Sequence, residues 1–331
     1  MTAAPRTTAA QAAPVRAFPA SRGSMRMTSP GEPGGGGSGS EVRPALQDTT
    51  VARSARVHDW LLGGVENYAP DRAAGAALVE VVPGARQLAH SGRAFLRRAV
   101  GLLAGEAGIG QFLDLGCGLP VLDGNVHEVS QAACPGTRVV YVDVDPVVLA
   151  HAFTTLDDNA DTLIVGGDIR HPGAIREAIG GFFDWDRPVA VLMANVLDCL
   201  PADGADDPDG PAGVVRDWAA VLPSGSPVVI QQMVCADAGV RETVTAVMTG
   251  ATGGRWGRMA TPGDLGRYAA PLHIGPPGLG DVTRWRPDSP AAPGPLCPSG
   301  AAAWGVVGRA PGAGSPPGTV GDGGLRSGRG P

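Results

Sequence analysis

The sequence predicts an α/β fold: a seven-stranded, mostly parallel sheet with helices on both faces. Three observations carry that prediction. Short, wholly apolar runs alternate with stretches of helical periodicity, as parallel strands buried on both faces and their crossover helices require. Two of the runs end at acidic residues and bracket a glycine loop: Gln111-Phe-Leu-Asp-Leu-Gly-Cys-Gly-Leu-Pro120, then Arg138-Val-Val-Tyr-Val-Asp-Val-Asp-Pro146. Alternating strand–helix units are followed by two late strands, which sets the last strand antiparallel in the sheet.

The elements follow in order. Residues 1–50 are rich in Ala, Pro, Gly and Ser, and are expected to form a tail that buries too little apolar surface to offset its ordering entropy. Residues 310–331 read the same way, leaving 51–309 as the folded part. Within 51–110, a first helix breaks at Gly63-Gly64, a second covers 71–82 before Pro83-Gly84, and a third covers 85–107. Strands are expected at 111–115, 139–142, 162–165, 188–194 and 227–233. Helices are expected at 126–133, from Asp145-Pro146 to about 156, and at 174–179, 214–222 and 240–249. Asp145 can cap its helix, with Pro146 in the first turn. A further helix starts at Thr261-Pro262, and late strands at 282–285 and 303–307 complete the sheet.

The glycine spacing selects the ligand. Dinucleotide folds use Gly-x-Gly-x-x-Gly to seat a pyrophosphate on a helix N-terminus. Gly116 and Gly118 have no third glycine in register. Asp114, just upstream, suits an amine rather than a phosphate. The pattern points to S-adenosylmethionine, which carries an ammonium and a sulfonium and no phosphate. Gly116 and Gly118 then pass beneath the methionine part, Asp114 faces the ammonium, Asp143 accepts from both ribose hydroxyls, and Asp168 and Ile169 meet the adenine. The bland alternatives are a plain turn for the glycines, a helix cap for Asp114 and a solvated strand-end acid for Asp143. Asn195 lies past the fourth strand, where open α/β sheets bind ligands. It is a candidate for cofactor binding and catalysis, or else a loop amide. Asp198 is a candidate general base or a turn residue. His127 and Asp145 read as structural.

Composition removes several classes. The chain has no lysine. A P-loop lysine, a Schiff-base lysine and a Tyr-x-x-x-Lys dehydrogenase pair are therefore excluded. The net charge of −6, with no Arg-rich block outside the N-terminal tail, argues against a nucleic-acid partner. Cys117, Cys134, Cys199, Cys235 and Cys297 form no Cys-x-x-Cys pair, so neither a disulfide framework nor a zinc site is expected. Free thiols fit a reducing cytoplasm. No apolar run approaches membrane-spanning length, and no signal peptide is expected.

Several blocks together resemble the actinobacterial S-adenosyl methyltransferase family, long catalogued as a domain of unknown function. They are His58-Asp-Trp-Leu-Leu-Gly-Gly-Val-Glu-Asn-Tyr-Ala-Pro-Asp-Arg72, Arg93-Ala-Phe-Leu-Arg-Arg98, Asp114 to Pro120, Asn125-Val-His-Glu-Val129, Val139 to His151, Asp168-Ile-Arg170 and Arg187-Pro-Val-Ala190. Matching turn residues recur at Leu222-Pro-Ser-Gly225 and Thr261-Pro262.

The resemblance implies a Rossmann-like class I methyltransferase core over 111–309 and an N-terminal helical cap over 51–110. The leading reading is methyl transfer to a small molecule, of the secondary-metabolite kind. A sulfonium is already activated, so no metal is expected. His58 stands where relatives commonly show Tyr, Val144 where Asn is usual and Asp198 where His is frequent. The Gly63-Gly64 to Arg72 block is a possible lid, with Asn67 and Tyr68 inward and Asp71-Arg72 as a local ion pair. Two other readings compete: a cofactor-binding module without turnover, and a nicotinamide-dependent oxidoreductase, against which the glycine spacing and the missing lysine speak.

Overall fold

The computed structural model describes residues 48–200, 207–287 and 297–311. Apart from a few residues at each junction, the two expected tails lie outside the described residues.

Five strands form the parallel body of the sheet: β1 (Gln111–Leu115), β2 (Arg138–Asp143), β3 (Thr162–Gly166), β4 (Ala190–Ala194) and β5 (Pro227–Cys235). They lie side by side as β3-β2-β1-β4-β5, so the chain reverses direction across the sheet between β1 and β4. Loops at such a switch point open a crevice for ligand. Two short strands, β6 (His273–Ile274) and β7 (Gly280–Asp281), precede the long β8 (Ala301–Arg309). β8 runs antiparallel to β5, from Pro227 opposite Arg309 to Cys235 opposite Ala301, and β6 and β7 pair with its outer edge.

The sheet thus has eight strands rather than the expected seven. The expected strand at 282–285 is a 3-10 turn, Val282–Arg284, because Asp281 accepts from Thr283 N at 2.8 Å and from its hydroxyl at 2.7 Å. The apolar Val282 and Trp285 that suggested a strand are buried instead against a helix. Arg98 on that helix donates to the carbonyls of Val282 at 2.7 Å and Trp285 at 3.2 Å.

Three N-terminal helices come first: α1 (Ser54–Leu61), α2 (Ala69–Val81) and α3 (Ala85–Gly105). α3 lies on the sheet, where Phe95, Leu96, Ala99 and Leu103 share a core with Phe112, Leu192 and Ala303. Then come α4 (Val126–Ala133), α5 (Pro146–Thr155), α6 (Pro172–Ile179), α7 (Pro211–Val221), α8 (Ala238–Ala251) and α9 (Pro262–Tyr268). On the opposite face Ile175 and Ile179 of α6, Trp218 of α7 and Leu265 of α9 cover Leu113, Met193 and Ile230. Burying each such side chain contributes roughly 1.5–3 kcal/mol. A third core joins Val57 and Leu61 of α1, Leu78 of α2, and Val244 and Met248 of α8. It carries α1 over the C-terminal end of the sheet.

The Asn125-Val-His-Glu-Val129 block is a helix start. Asn125 accepts from Val121 N at 3.1 Å and donates to its carbonyl at 2.8 Å, while its own N–H donates to Glu128 at 2.7 Å. This closes the loop beyond the glycines and satisfies orphan donors of α4. Among the described residues no helix is long and apolar enough to cross a membrane.

Candidate functional site

A cavity of about 580 Å³ lies at the C-terminal ends of β1 to β4, within the ~300–1,000 Å³ range of small-molecule sites. Its floor is made by the turns that follow those strands. Its roof is α1, with Leu78 of α2 and Gly92, Arg93 and Leu96 of α3.

The floor follows from the glycine loop. Gly116 has φ +68°, and a Cβ there would sit 2.2 Å from Val196 Cγ2, so only glycine fits. Gly118 also has a positive φ, +67°, but a Cβ would meet only Ala55 at 4.0 Å. Its N–H donates to Asp143 Oδ2 at 3.0 Å. Asp143 Oδ1 accepts from Asp145 N at 2.9 Å, and Asp145 caps α5 through Val147 N at 2.8 Å. One backbone donor on each oxygen fixes the Asp143 carboxylate plane and leaves lone pairs free on both. Burial raises the Asp143 carboxyl, opposed by the Asp145 and Gly118 amides.

Asp114 is buried on β1, and burial pushes its carboxyl up to about 7 despite the nearby Arg93 guanidinium. Arg93 donates to Gly124 O at 2.9 Å, and its Nε is buried without a protein hydrogen-bond partner. After β3, Asp168 holds Arg170, whose Nε lies 3.0 and 3.1 Å from its two oxygens. Burial raises the Asp168 carboxyl, but the Arg170 contacts outweigh it and hold it below the ordinary value. Ile169 is buried, and its carbonyl accepts from Trp218 Nε1 at 2.8 Å, which ties this turn to α7.

Asn195 has φ +55°, a left-handed conformation in which Asn is enriched among non-glycine residues. Its N–H donates to Gln231 O at 2.7 Å, turning the chain sharply out of β4. Asp198 follows in a 3-10 turn, Leu197–Cys199. Burial drives its carboxyl up to about 8, with Gln232 and Arg258 opposing. In the free protein at neutral pH it is therefore mostly the protonated acid.

One cavity wall thus gathers Asp114, Gly116, Asp143, Asp168, Ile169, Asn195 and Asp198. Gly118 stands behind that wall and acts on Asp143 through its amide. His127 is buried outside the cavity, with Nδ1 2.9 Å from the Tyr141 hydroxyl and Nε2 3.5 Å from Asp158. Its role there is structural, as read from the sequence.

The lid expectation is corrected. Neither Asn67 nor Tyr68 lines the cavity, and Asp71 pairs with Arg56 rather than Arg72. Arg72 donates to the Asn67 carbonyl at 2.7 Å, and Asn67 donates to Asp59 at 2.8 Å. The loop is folded on itself because its polar groups satisfy one another. α1 covers the site instead.

Among the lining residues to which the sequence gave no role are His58, Arg93, Gln231 and Trp256. Burial lowers His58 to about 4, with Arg93 and His90 adding, so its imidazole is neutral at pH 7. Arg93 carried a usable signal, because it adjoins the apolar stripe of Ala89, Gly92, Leu96 and Ala99.

A parallel sheet with an antiparallel last strand, a glycine turn after β1 and an acid at the end of β2 define a class I, Rossmann-like methyltransferase. The chain belongs to the S-adenosyl methyltransferase family, whose model matches residues 40–311. Its structure is similar to that of a candidate methyltransferase from Thermobifida fusca, with 34% identity and a TM-score of 0.72, covering 81% of this chain and 98% of that one. A DUF574-family protein from Streptomyces avermitilis is similar at 33% identity and a TM-score of 0.70, covering 80% and 99%. No curated protein matches the chain. The protein is an S-adenosylmethionine-dependent methyltransferase, as its sequence predicted.

Proposed function

We propose that the cavity holds S-adenosylmethionine along the ends of β1, β2 and β3, beside a small-molecule methyl acceptor under α1, and that the protein works in the cytoplasm. Asp143 takes the ribose hydroxyls, Asp114 the methionyl ammonium, and the free Nε of Arg93 the methionyl carboxylate. Asp168, oriented by Arg170, and Ile169 close on the adenine. The residues fit this ligand. Arg93 presents a buried donor that no protein group uses, beside the carboxyl of Asp114.

The cofactor supplies a methyl group already activated on a sulfonium. The chain's own residues bind and orient, and the rate comes chiefly from holding the partners in line. Asn195 and Asp198 stand between the cofactor end of the cavity and the β5 wall. Asp198 offers a hydrogen-bond donor there at neutral pH and a base above about 8. The neutral imidazole of His58, which also lines the cavity, can accept a proton as well.

The observation that carries this reading is Asp143, held by one backbone amide on each oxygen at the end of β2. Calorimetric titration with S-adenosylhomocysteine tests it. The wild-type protein binds, and Asp143→Ala loses binding while keeping its fold. A folded wild-type protein that does not bind sinks the reading.

A further inference from the structure

Gln231 lies on β5, opposite Ala194 at the end of β4, away from the turns assigned to the cofactor. It is 2% exposed, and its side-chain Oε1 is buried without a protein hydrogen-bond partner. The amide is packed against α3 at Gly92, where an added Cβ would lie 2.7 Å from Nε2 and 2.9 Å from Oε1. Glycine there is what lets the amide sit under the helix, and the packing limits where its oxygen can turn. The backbone carbonyl of the same residue is occupied by Asn195 N. Leu61, Leu78, Met233 and Met248, which pack into one hydrophobic cluster, also line the cavity. A buried amide oxygen accepts and cannot donate, and leaving it unpaired is costly.

We propose that Gln231 is a specificity residue for the methyl acceptor: the β5 side of the cavity selects an apolar molecule that presents one O–H or N–H donor to Gln231 Oε1. This rests on the proposed placement of S-adenosylmethionine over β1 to β3. The Nε1 of Trp256, also buried without a partner and lining the cavity, adds a donor for any oxygen the same molecule carries.

The probe is indole, a flat apolar molecule with one N–H, titrated calorimetrically into protein saturated with S-adenosylhomocysteine. N-methylindole is the control without the donor. Wild-type protein binds indole about tenfold more tightly than N-methylindole, the scale expected for pairing a buried orphan acceptor. Gln231→Met removes the acceptor at similar volume and erases the preference. Gln231→Glu keeps a carboxyl oxygen in place and restores it. Both variants bind S-adenosylhomocysteine as the wild type does, which also reports that they fold. Equal affinity for the two indoles, a preference that survives Gln231→Met, or no indole binding to the loaded protein overturns the inference while leaving the cofactor assignment intact. Failure of the wild-type protein to bind S-adenosylhomocysteine overturns the cofactor assignment and this inference with it.

Discussion

Arg56 Nε and Asp71 Oδ2 lie 2.9 Å apart, and the two side chains are 1% and 0% exposed. The pair joins α1 to α2. Asp71 also accepts from Arg53 N at 2.9 Å and from Tyr68 N at 2.8 Å, and Arg56 donates to Val51 O at 2.7 Å. One carboxylate therefore organises the first turn of two helices, and the roof of the cavity hangs from it.

Removing that carboxylate leaves a buried guanidinium uncompensated, along with two helix-start amides. Asp71→Ala is expected to cost ~3–5 kcal/mol, read from urea unfolding. Because α1 roofs the site, S-adenosylhomocysteine affinity falls as well. A loss below about 1 kcal/mol, typical of an exposed pair, would show that the pair is solvated in solution.

The two loop glycines separate two kinds of constraint. Gly116→Ala meets both a left-handed backbone and the Val196 side chain, so cofactor binding is lost and unfolding shifts markedly. Gly118→Ala meets only the backbone term, roughly 1–2 kcal/mol. Its N–H still reaches Asp143, so binding survives at reduced stability. Side-by-side melting and S-adenosylhomocysteine titrations check the order, and equal effects would contradict it.

How much of this was legible in the sequence depends on the range of the interactions. The parallel strands and crossover helices are written as local periodicity, and each appears within a few residues of its expected place. The residues at the ends of β1 to β4 were legible because the strand order brings those ends together. Asp71 was misassigned because its sequence neighbour Arg72 is the nearer cation along the chain, whereas burial selects Arg56 across the helix pair. The strand expected at 282–285 failed because an Asp281 cap outweighed an apolar pattern. Gln231 had no local signal at all, and His58 stood out only as a departure from Tyr, with no role attached. They become site residues only when β5 and α1 converge on the same cavity.

Asp198 gives a stability test with a defined sign. Its folded-state value of about 8 lies above the ordinary carboxyl value. An acid raised on folding favours the folded state most below its unfolded value and loses that advantage as pH rises toward the folded value. Asp198→Asn mimics the neutral acid at every pH. The variant should therefore melt above wild type by a smaller margin at pH 5 than at pH 9. A variant that is less stable at pH 9 would mean that the ionised carboxylate is itself paired in the folded protein.

With the methionyl ammonium placed beside Asp114 as proposed, cofactor binding is expected to be coupled to a proton. In the free protein its carboxyl sits near 7, raised by burial and by the neighbouring Asp143 and only partly relieved by Arg93. A methionyl ammonium beside it stabilises the ionised form and lowers that value in the complex. Binding therefore releases a proton around neutral pH. Affinity is full above about 7 and weakens as pH falls below it, by up to about tenfold per pH unit until the bound-state value is reached. S-adenosylhomocysteine titrations from pH 8 down to pH 5 should show this slope, and the enthalpy at pH 7 should depend on the buffer's ionisation heat. Asp114→Asn binds more weakly at pH 8 and loses the slope. A wild-type affinity that stays flat across this range would place the ammonium away from Asp114 and move that part of the ligand toward another wall of the cavity.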